Sequence, residues 1–231
     1  MTSPQSKNSS GDQLNPFLDG LLPPIEEATI ETLDPIRLLN PSRFDLMAKY
    51  IYASFKDSKL KKNWAFKLYE EHLKLFGGLV EGDGSGKTNI TDYTNAFDET
   101  LGSINSKGFD PDTSILPVSR DLTLIDGSHR LAAALFYNKP VTVAKFNIDG
   151  PTYNFNYFTR RGLSSDWADA MALQYCKLNT NTFIAMLFPA AGSNTETAEK
   201  LLNEKGQIVY KKEFLLENEG PFNLIRQVYP K

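Results

Sequence analysis

The fold of this chain is decided by the stretch Leu122-Thr-Leu-Ile125-Asp126-Gly127-Ser128-His129-Arg130-Leu131-Ala-Ala-Ala-Leu135. Its first four residues predict a short buried strand, and the alanine-rich run after Arg130 predicts a helix. Between them, an acid and a glycine predict a direct turn from strand to helix. Backbone N–H groups at the start of a helix lack internal partners and lie at the positive end of the helix dipole, so this turn predicts an anion site.

The side chains of the turn add to the predicted anion site. We expect the amides near Gly127 and Ser128 to hold a phosphate group, with His129 and Arg130 as side-chain donors. His129 is one of only two histidines in the chain, and it lies between a hydroxyl and an arginine. The alternative is structural: Asp126 caps the helix, and Arg130 is a solvated surface residue.

Composition limits the partners and the compartment. The 231 residues are 41% hydrophobic and 23% charged, with a formal net charge of -3, which does not support a nucleic-acid surface. No run approaches the roughly 18 consecutive apolar residues of a membrane span, and residues 1–20 lack the pattern of a secretory signal. The single cysteine, Cys176, is typical of a buried structural thiol in a reducing compartment. We therefore predict a cytoplasmic protein without a membrane span or a nucleic-acid partner.

Changes in amino-acid composition along the sequence predict that the chain has three parts. Residues 1–30 are rich in Ser, Asn, Pro and Gly and predict a flexible leader, residues 31–150 predict the domain that contains the turn, and residues 151–231 predict a C-terminal β-α-β extension. The overall prediction is an α/β (α+β) fold with a small mixed sheet and packed helices. The predicted helices cover residues 44–55, 64–76, 93–107, 128–137, 167–173, 194–205 and 221–228, and the predicted strands cover 115–118, 122–125, 141–148, 182–188 and 206–210.

A Gly-rich loop, Glu81-Gly-Asp83-Gly-Ser-Gly86-Lys87-Thr88, ends in the Gly-Lys-Thr of phosphate-binding loops. It fails that motif, because the position five residues before Gly86 is Glu81 where the motif needs glycine. Two interpretations stay open. The loop carries Glu81, Asp83 and Lys87 toward a nucleotide bound elsewhere, or it is an ordinary surface loop.

The second histidine, His72, gives little support for a metal-binding site. His72 lies among apolar helix positions and is typical of a structural core histidine. Two histidines and one cysteine are too few ligands for a zinc site, so we expect any metal to be Mg²⁺, bound by Asp or Glu together with substrate phosphates.

The strand, the Asp126–Arg130 turn and the alanine-rich helix resemble the signature of the ParB/sulfiredoxin-like fold, which sulfiredoxins, ParB partition proteins and free serine kinases share. In these families the glycine-to-arginine turn binds nucleotide phosphates, so the resemblance implies a nucleotide-binding domain. It covers residues 36–148 in outline, with Ile36–Pro41 as the entering strand and turn. The part of the resemblance that is specific to these families is the Asp126–Arg130 turn.

Departures from the family motifs favour the kinase branch. Sulfiredoxins place a cysteine immediately before the His-Arg pair, and this chain has Ser128 at that position. The resemblance therefore does not imply repair of a sulfinic acid by a thiol. ParB proteins add a helix-turn-helix domain, which neither the charge nor the residues after 150 resemble. Free serine kinases carry Asp-Gly-His-His-Arg, from which this chain differs only at Ser128.

Three further segments, Arg43–Tyr52, Gly108–Asp110 and Leu187–Ala191, resemble uncharacterised bacterial proteins that accompany capsule and cell-surface polysaccharide synthesis. That resemblance implies a sugar or a glycan precursor as substrate.

Three functional hypotheses follow. The first is a phosphotransferase that uses ATP or another nucleotide with Mg²⁺ and acts on a small hydroxylated acceptor. Its nucleotide-binding residues would be Gly127, Ser128, His129, Arg130 and Lys87; Asp126 would bind the metal or act as base, His129 would stabilise the transferring phosphoryl group, and Glu81 or Asp83 would be the second acid. The second hypothesis is a non-catalytic nucleotide-sensing or scaffolding module. The third is DNA partition, which predicts DNA binding with a steep salt dependence.

Overall fold

The computed structural model describes residues 14, 18, 20–80, 86–112, 114–187 and 194–213. The chain divides into two units, Met1–Met186 and Leu187–Lys231. In the described part of the first unit, the strands are β1 (Thr29–Leu33), β2 (Leu116–Val118) and β3 (Val141–Lys145), and the helices are α1 (Asp45–Phe55), α2 (Lys62–Gly77), α3 (Ile90–Lys107), α4 (Ser128–Tyr137), α5 (Phe155–Thr159) and α6 (Ser165–Leu178). The second unit contains α7 (Glu196–Lys205).

The three strands form one mixed sheet in the order β1-β3-β2. The central strand β3 runs antiparallel to β1, with Val141 opposite Leu33, and parallel to β2, with Val143 opposite Leu116. Helix α4 connects the parallel pair as a crossover. Val143 and Ala144 point to opposite faces of β3 and are both fully buried, so this strand is covered on both sides. The predicted α/β fold with a small mixed sheet and packed helices is confirmed.

Helix α1 contacts α2, α4 and α6, and its buried side chains recur at helical spacing. Aromatic rings fill the space between the first three helices. The Tyr52 ring lies 4.8 Å from the Tyr69 ring and 5.6 Å from the Phe97 ring, and 5.8 Å separates Tyr69 from Phe97. Each such pair adds about 0.5–1.5 kcal/mol to the stabilisation from burial alone. The helices that surround the predicted anion site therefore share one aromatic core.

Local signals determine where the helices begin and end. Gly78, with a φ of 76°, follows α2 in the left-handed conformation that favours glycine, and Asn89 caps α3 by accepting a hydrogen bond from the Asp92 N–H at 3.1 Å. The helices predicted at 44–55, 64–76, 93–107, 128–137, 167–173 and 194–205 are all present, with small shifts at their ends.

The sheet begins inside the predicted leader, since β1 starts at Thr29 and Ile25 is already buried against the sheet. The predicted entering strand at Ile36–Pro41 is wrong, because Pro35–Leu38 form a short 3₁₀ helix. The Asp34 side chain caps this helix by accepting from the Ile36 N–H at 3.0 Å, and Pro35 at its first position favours a helical start.

Two predicted C-terminal strands are wrong for the residues that the structure describes. Residues 182–187 and 206–210 adopt no strand there, and Phe183, Ile184 and Met186 are 65–76% exposed. An apolar run forms a strand only where a neighbouring edge pairs with its N–H and C=O groups, and no described strand pairs with either segment. The helix predicted at 221–228 lies outside the described residues. Helices α5 and α6 belong to the first unit and pack against α2 and α1, so that unit continues past the predicted boundary at residue 150.

Candidate functional site

A tight reverse turn leads the chain from β2 to the predicted anion site. The Ser119 N–H donates to the Thr123 carbonyl at 2.9 Å, and the Leu122 N–H donates to the Ser119 carbonyl at 3.0 Å. Leu122 has a φ of 64°, and Leu124 forms a single antiparallel bridge with Val118. The strand predicted at 122–125 is therefore reduced to one bridge, because the left-handed residue interrupts the extended backbone.

Polar side chains hold this reverse turn in place. The hydroxyls of Ser119 and Thr123 both donate to the Asp121 carboxylate, the second at 3.2 Å, and these bonds lower the pKa of Asp121. The Asn40 amide donates to the Thr123 hydroxyl at 3.3 Å. Gly150 packs directly on this group, since a Cβ there would lie 2.5 Å from the Thr123 Cβ. The backbone that leads into the anion site is thus fixed by a local network.

Gly127 occupies a position that strongly favours glycine. Its φ is 87°, and it is the N-cap residue of α4, a place that Asp126 was alternatively expected to fill. A Cβ at Gly127 would lie 2.5 Å from the Leu116 Cδ2 and 2.7 Å from the Arg130 Nη2. The left-handed conformation favours glycine, and a Cβ would force the ends of the Leu116 and Arg130 side chains to move. The Arg130 guanidinium therefore lies directly over the backbone of Gly127.

The first turn of α4 presents backbone donors beside this guanidinium. The first intrahelical bond runs from the Leu131 N–H to the Gly127 carbonyl at 2.9 Å. The N–H groups of Ser128, His129 and Arg130 precede that bond and have no carbonyl of their own helix to reach. The helix dipole adds partial positive charge at the same end of the ten-residue helix.

Asp126 and Arg130 form an ion pair across the turn. The Arg130 Nη2 lies 3.6 Å from the Asp126 Oδ2, and the two side chains are 25% and 34% exposed. Burial lowers the pKa of Arg130 and the Asp126 charge opposes that effect, but an arginine stays protonated in either case. A separation of 3.6 Å is too long for a direct hydrogen bond. The guanidinium thus keeps N–H donors for an anion at the turn.

His129 packs among aromatic rings. Its ring centroid lies 4.9 Å from that of Phe97 and 6.5 Å from that of Tyr93, and its Nε2 lies 2.7 Å from the Tyr69 hydroxyl oxygen, at hydrogen-bond distance. Burial lowers the pKa of His129 well below its ordinary value, and the Lys49 charge adds to the effect. The imidazole is therefore neutral near pH 7 and can offer a hydrogen bond to a phosphate but not a positive charge.

A buried charge cluster lies at the start of α1, and the sequence analysis did not identify it. Arg43, Asp45, Lys49 and His72 are all at most 2% exposed. The Asp45 carboxylate accepts two hydrogen bonds of 2.8 Å from Arg43 and one of 3.1 Å from Lys49, whose Nζ lies 3.4 Å from the His72 Nε2. A single buried carboxylate thus pairs with two cations.

The pKa values of the cluster follow from its burial and charges. Burial acts to raise the pKa of Asp45, but the charges of Arg43 and Lys49 outweigh it and hold that pKa far below its usual range. Burial and the Lys49 charge both lower the pKa of His72, so this ring is neutral, as expected for a structural core histidine. Its Nδ1 is buried without a hydrogen bond of ordinary geometry in the described structure.

Arg43 links the cluster to the turn. Its Nη1 donates to the carbonyl of Leu124, two residues before Asp126. Burial acts to lower the pKa of Arg43, but Asp45, with a smaller contribution from Asp126, raises it. Arg43, Lys49 and Arg130 supply three positive charges against the two carboxylates Asp45 and Asp126. Among the residues that the structure describes, the turn and the cluster thus contain three cations and two carboxylates, and positive charge near the turn favours an anion.

The structure describes one of the three acidic or basic residues predicted from the Gly-rich loop. The Lys87 Nζ lies 5.5 Å from the Tyr93 ring centroid, and its charge contributes to the lowered pKa of His129. Glu81 and Asp83 lie outside the described residues.

The described residues contain no group of three or more His, Cys, Asp or Glu that could hold a metal ion. Cys176, which was predicted to be buried, is only partly buried and is not part of a disulfide.

None of the described helices is long and apolar enough to cross a membrane.

Comparison of the chain with protein-family models, with curated proteins and with solved structures finds no match in any of the three. The relation to the ParB/sulfiredoxin-like fold therefore stays a prediction that depends on the Asp126–Arg130 motif and its surroundings.

Proposed function

We propose that this chain binds a nucleotide at the Asp126–Arg130 turn and transfers its phosphoryl group to a small hydroxylated acceptor. The observation that carries the proposal is the position of Gly127. Its left-handed backbone starts α4, and the Arg130 guanidinium lies against it, so amides and guanidinium lie together at one helix N-terminus. Backbone N–H groups, a helix dipole and an arginine fork are the donors that bind phosphates in many proteins.

Charge compensation is the main chemical demand of phosphoryl transfer, and this site meets it with fixed cations. Arg130 would contact the phosphates directly. Arg43 and Lys49 are buried beneath the turn and would stabilise the bound anion through their positive charge. The neutral imidazole of His129 would contribute a hydrogen bond, in keeping with its predicted role as a side-chain donor to the phosphoryl group.

Mg²⁺ would neutralise phosphate charge at this site. Asp126 would be its ligand from the turn, because Mg²⁺ in such sites is bound through one or two carboxylates together with substrate phosphates. The alternative role for Asp126 is that of the base. Glu81 or Asp83 stays the predicted second acid.

The nearest resemblance, to free serine kinases, favours a kinase with a small hydroxylated substrate. The weaker resemblance to proteins that accompany polysaccharide synthesis favours a sugar or a glycan precursor over an amino acid. Both acceptor classes therefore belong in the test.

A transfer assay tests the proposal directly. The purified chain is incubated with Mg²⁺, ATP labelled on its γ-phosphate, and a panel of serine, neutral monosaccharides, sugar acids and sugar phosphates. We expect labelled product with at least one acceptor and a rate loss of about 100-fold or more in Arg130→Ala, as for other transition-state charge donors. Arg37→Ala removes an exposed arginine of the 3₁₀ helix and is the matched control, with an unchanged rate. An unchanged rate in Arg130→Ala would contradict the proposal.

A nucleotide-sensing or scaffolding module is the second candidate, and one observation favours it. His129 is hydrogen-bonded to Tyr69 and enclosed by aromatic rings, which is the arrangement of a core histidine and not of a reacting group. A sensor would bind ATP in calorimetry and transfer no label to any acceptor of the panel. The two measurements together separate the candidates.

A further inference from the structure

A second basic surface lies on α5 and the turn that follows it. An open recess of about 480 Å³ is lined by Thr152, Asn154, Asn156, Tyr157, Arg160 and Arg161. We call it the α5 recess. Its volume lies within the range of about 300–1,000 Å³ that is typical of small-molecule sites, and five of its six lining residues carry polar or charged groups other than a phenol.

Two arginines determine the chemistry of the α5 recess. The Arg161 Cζ lies 4.1 Å from the centroid of the Tyr157 ring, and this stacking orients the guanidinium plane. No carboxylate of the described residues forms an ion pair with Arg160 or Arg161. Arg160 and Arg161 are consecutive, exposed residues without a carboxylate partner in the described chain, and a guanidinium group can bind a carboxylate or a phosphate in a bidentate manner.

The α5 recess is attached to the backbone that supports the anion site. Tyr153 exchanges backbone hydrogen bonds of 2.7 and 3.1 Å with the residues on either side of Arg43. The Arg43 Cζ lies 5.4 Å from the Tyr153 ring centroid, and the Tyr153 and Tyr157 rings lie 5.1 Å apart. Arg43 also donates to the carbonyl of Leu124, two residues before Asp126. A chain of contacts through Arg43 and Tyr153 therefore runs from the backbone before the Asp126–Arg130 turn to Tyr157 in the wall of the recess.

We propose that the α5 recess binds an acidic, hydroxylated small molecule whose carboxylate or phosphate lies against Arg160 and Arg161. Asparagine and threonine side chains, which donate and accept hydrogen bonds, are suited to its hydroxyl groups. Anion binding in the recess does not depend on the proposed phosphotransferase function.

Titration monitored by amide NMR shifts of the full chain tests this proposal. The probes are glucuronate for the carboxylate, glucose 1-phosphate for the phosphate, and glucose as the neutral control. We expect one or both anions to shift the amides of residues 152–161, and glucose to bind at least about tenfold more weakly. Arg160→Gln and Arg161→Gln should each weaken anion binding by about tenfold, and Arg161→Lys should restore part of it.

Control variants and a parallel ATP titration make the result decisive. Arg37→Ala and Arg130→Ala should leave glucuronate binding at residues 152–161 unchanged. Absence of shifts at these residues with both anions at millimolar concentration, or unchanged binding in both glutamine variants, would overturn the proposal. Glucuronate binding without ATP binding would refute the phosphotransferase and leave the recess site standing. ATP binding with neither anion bound in the recess would refute the recess site and leave the proposed nucleotide site standing.

Discussion

Replacement of Gly127 by alanine should destabilise the fold and displace Arg130 at the same time. The φ of 87° costs a non-glycine residue about 1–2 kcal/mol. The added Cβ would lie 2.5 Å from the Cδ2 of Leu116, which is fully buried, and such overpacking typically costs about 1–3 kcal/mol. We therefore expect the free energy of unfolding to fall by roughly 2–5 kcal/mol. ATP affinity should fall too, because the Cβ also meets the Arg130 guanidinium.

Gly78→Ala is the matched control for this prediction. Gly78 has a φ of 76°, but a Cβ there would meet nothing within 4 Å. Its replacement should cost only the conformational contribution of about 1–2 kcal/mol and leave ATP binding unchanged. Urea denaturation followed by circular dichroism measures both losses, and calorimetry measures ATP affinity. Equal losses of stability in the two variants, with ATP affinity unchanged in Gly127→Ala, would refute the packing argument.

Three further predictions concern the buried groups. Asp45→Asn should lower the free energy of unfolding by about 3–5 kcal/mol in urea denaturation, because it leaves two buried cations without their carboxylate; a loss below about 1 kcal/mol would contradict the described cluster. His72 and His129 have folded-state pKa values below that of an unfolded histidine, about 6.5, so the unfolded chain binds protons first as the pH falls. Stability should be complete above about pH 7 and decline below about pH 6.5, by up to about 1.4 kcal/mol per pH unit for each histidine, and a urea midpoint that does not change between about pH 7.5 and 5.5 would contradict this. Tyr69→Phe removes the 2.7 Å bond to His129 and should cost about 1 kcal/mol in thermal or urea unfolding without a loss of ATP affinity; a large loss of affinity would show that this bond serves the site.

The helices and the turn at Gly127 could be predicted because their signals are local. Apolar positions at helical spacing follow from one helix face packing on a core, and the acid-glycine pair before an alanine-rich run is a signal within a few residues. The requirement for glycine at residue 127 has a second cause that the sequence does not reveal. Leu116 comes eleven positions earlier and meets the turn only through the pairing of β2 in the folded sheet.

The buried charge cluster could not be predicted from the same kind of pattern. Asp45 and Lys49 stand four residues apart, which is also the spacing of an ordinary exposed ion pair on a helix. Only the packing of α1 against α2, α4 and α6 buries this pair and brings His72 to it. Its one available signal was the position of two charged residues on a helix whose neighbouring residues are almost all apolar.

The C-terminal strands were predicted from apolar composition, which is a necessary but not a sufficient condition for a strand. A strand is stabilised by a partner edge far away in sequence, and a run such as residues 182–187 contains no information on whether that edge exists. The edge strand β1 illustrates the opposite error. It was assigned in part to a leader because residues 1–30 are rich in Ser, Asn, Pro and Gly, yet its backbone pairs with β3 over five residue pairs.

The central claim is that the Asp126–Arg130 turn binds nucleotide phosphates, and isothermal titration calorimetry of ATP, ADP and CTP tests it most directly. The wild-type chain should bind at least one of the three nucleotides. Arg130→Ala should weaken that binding by about 100-fold, or about 2.7 kcal/mol, whereas Arg37→Ala should leave it unchanged. Equal affinities of the wild type and Arg130→Ala for all three nucleotides, or no binding of any of them by the wild type, would contradict the claim.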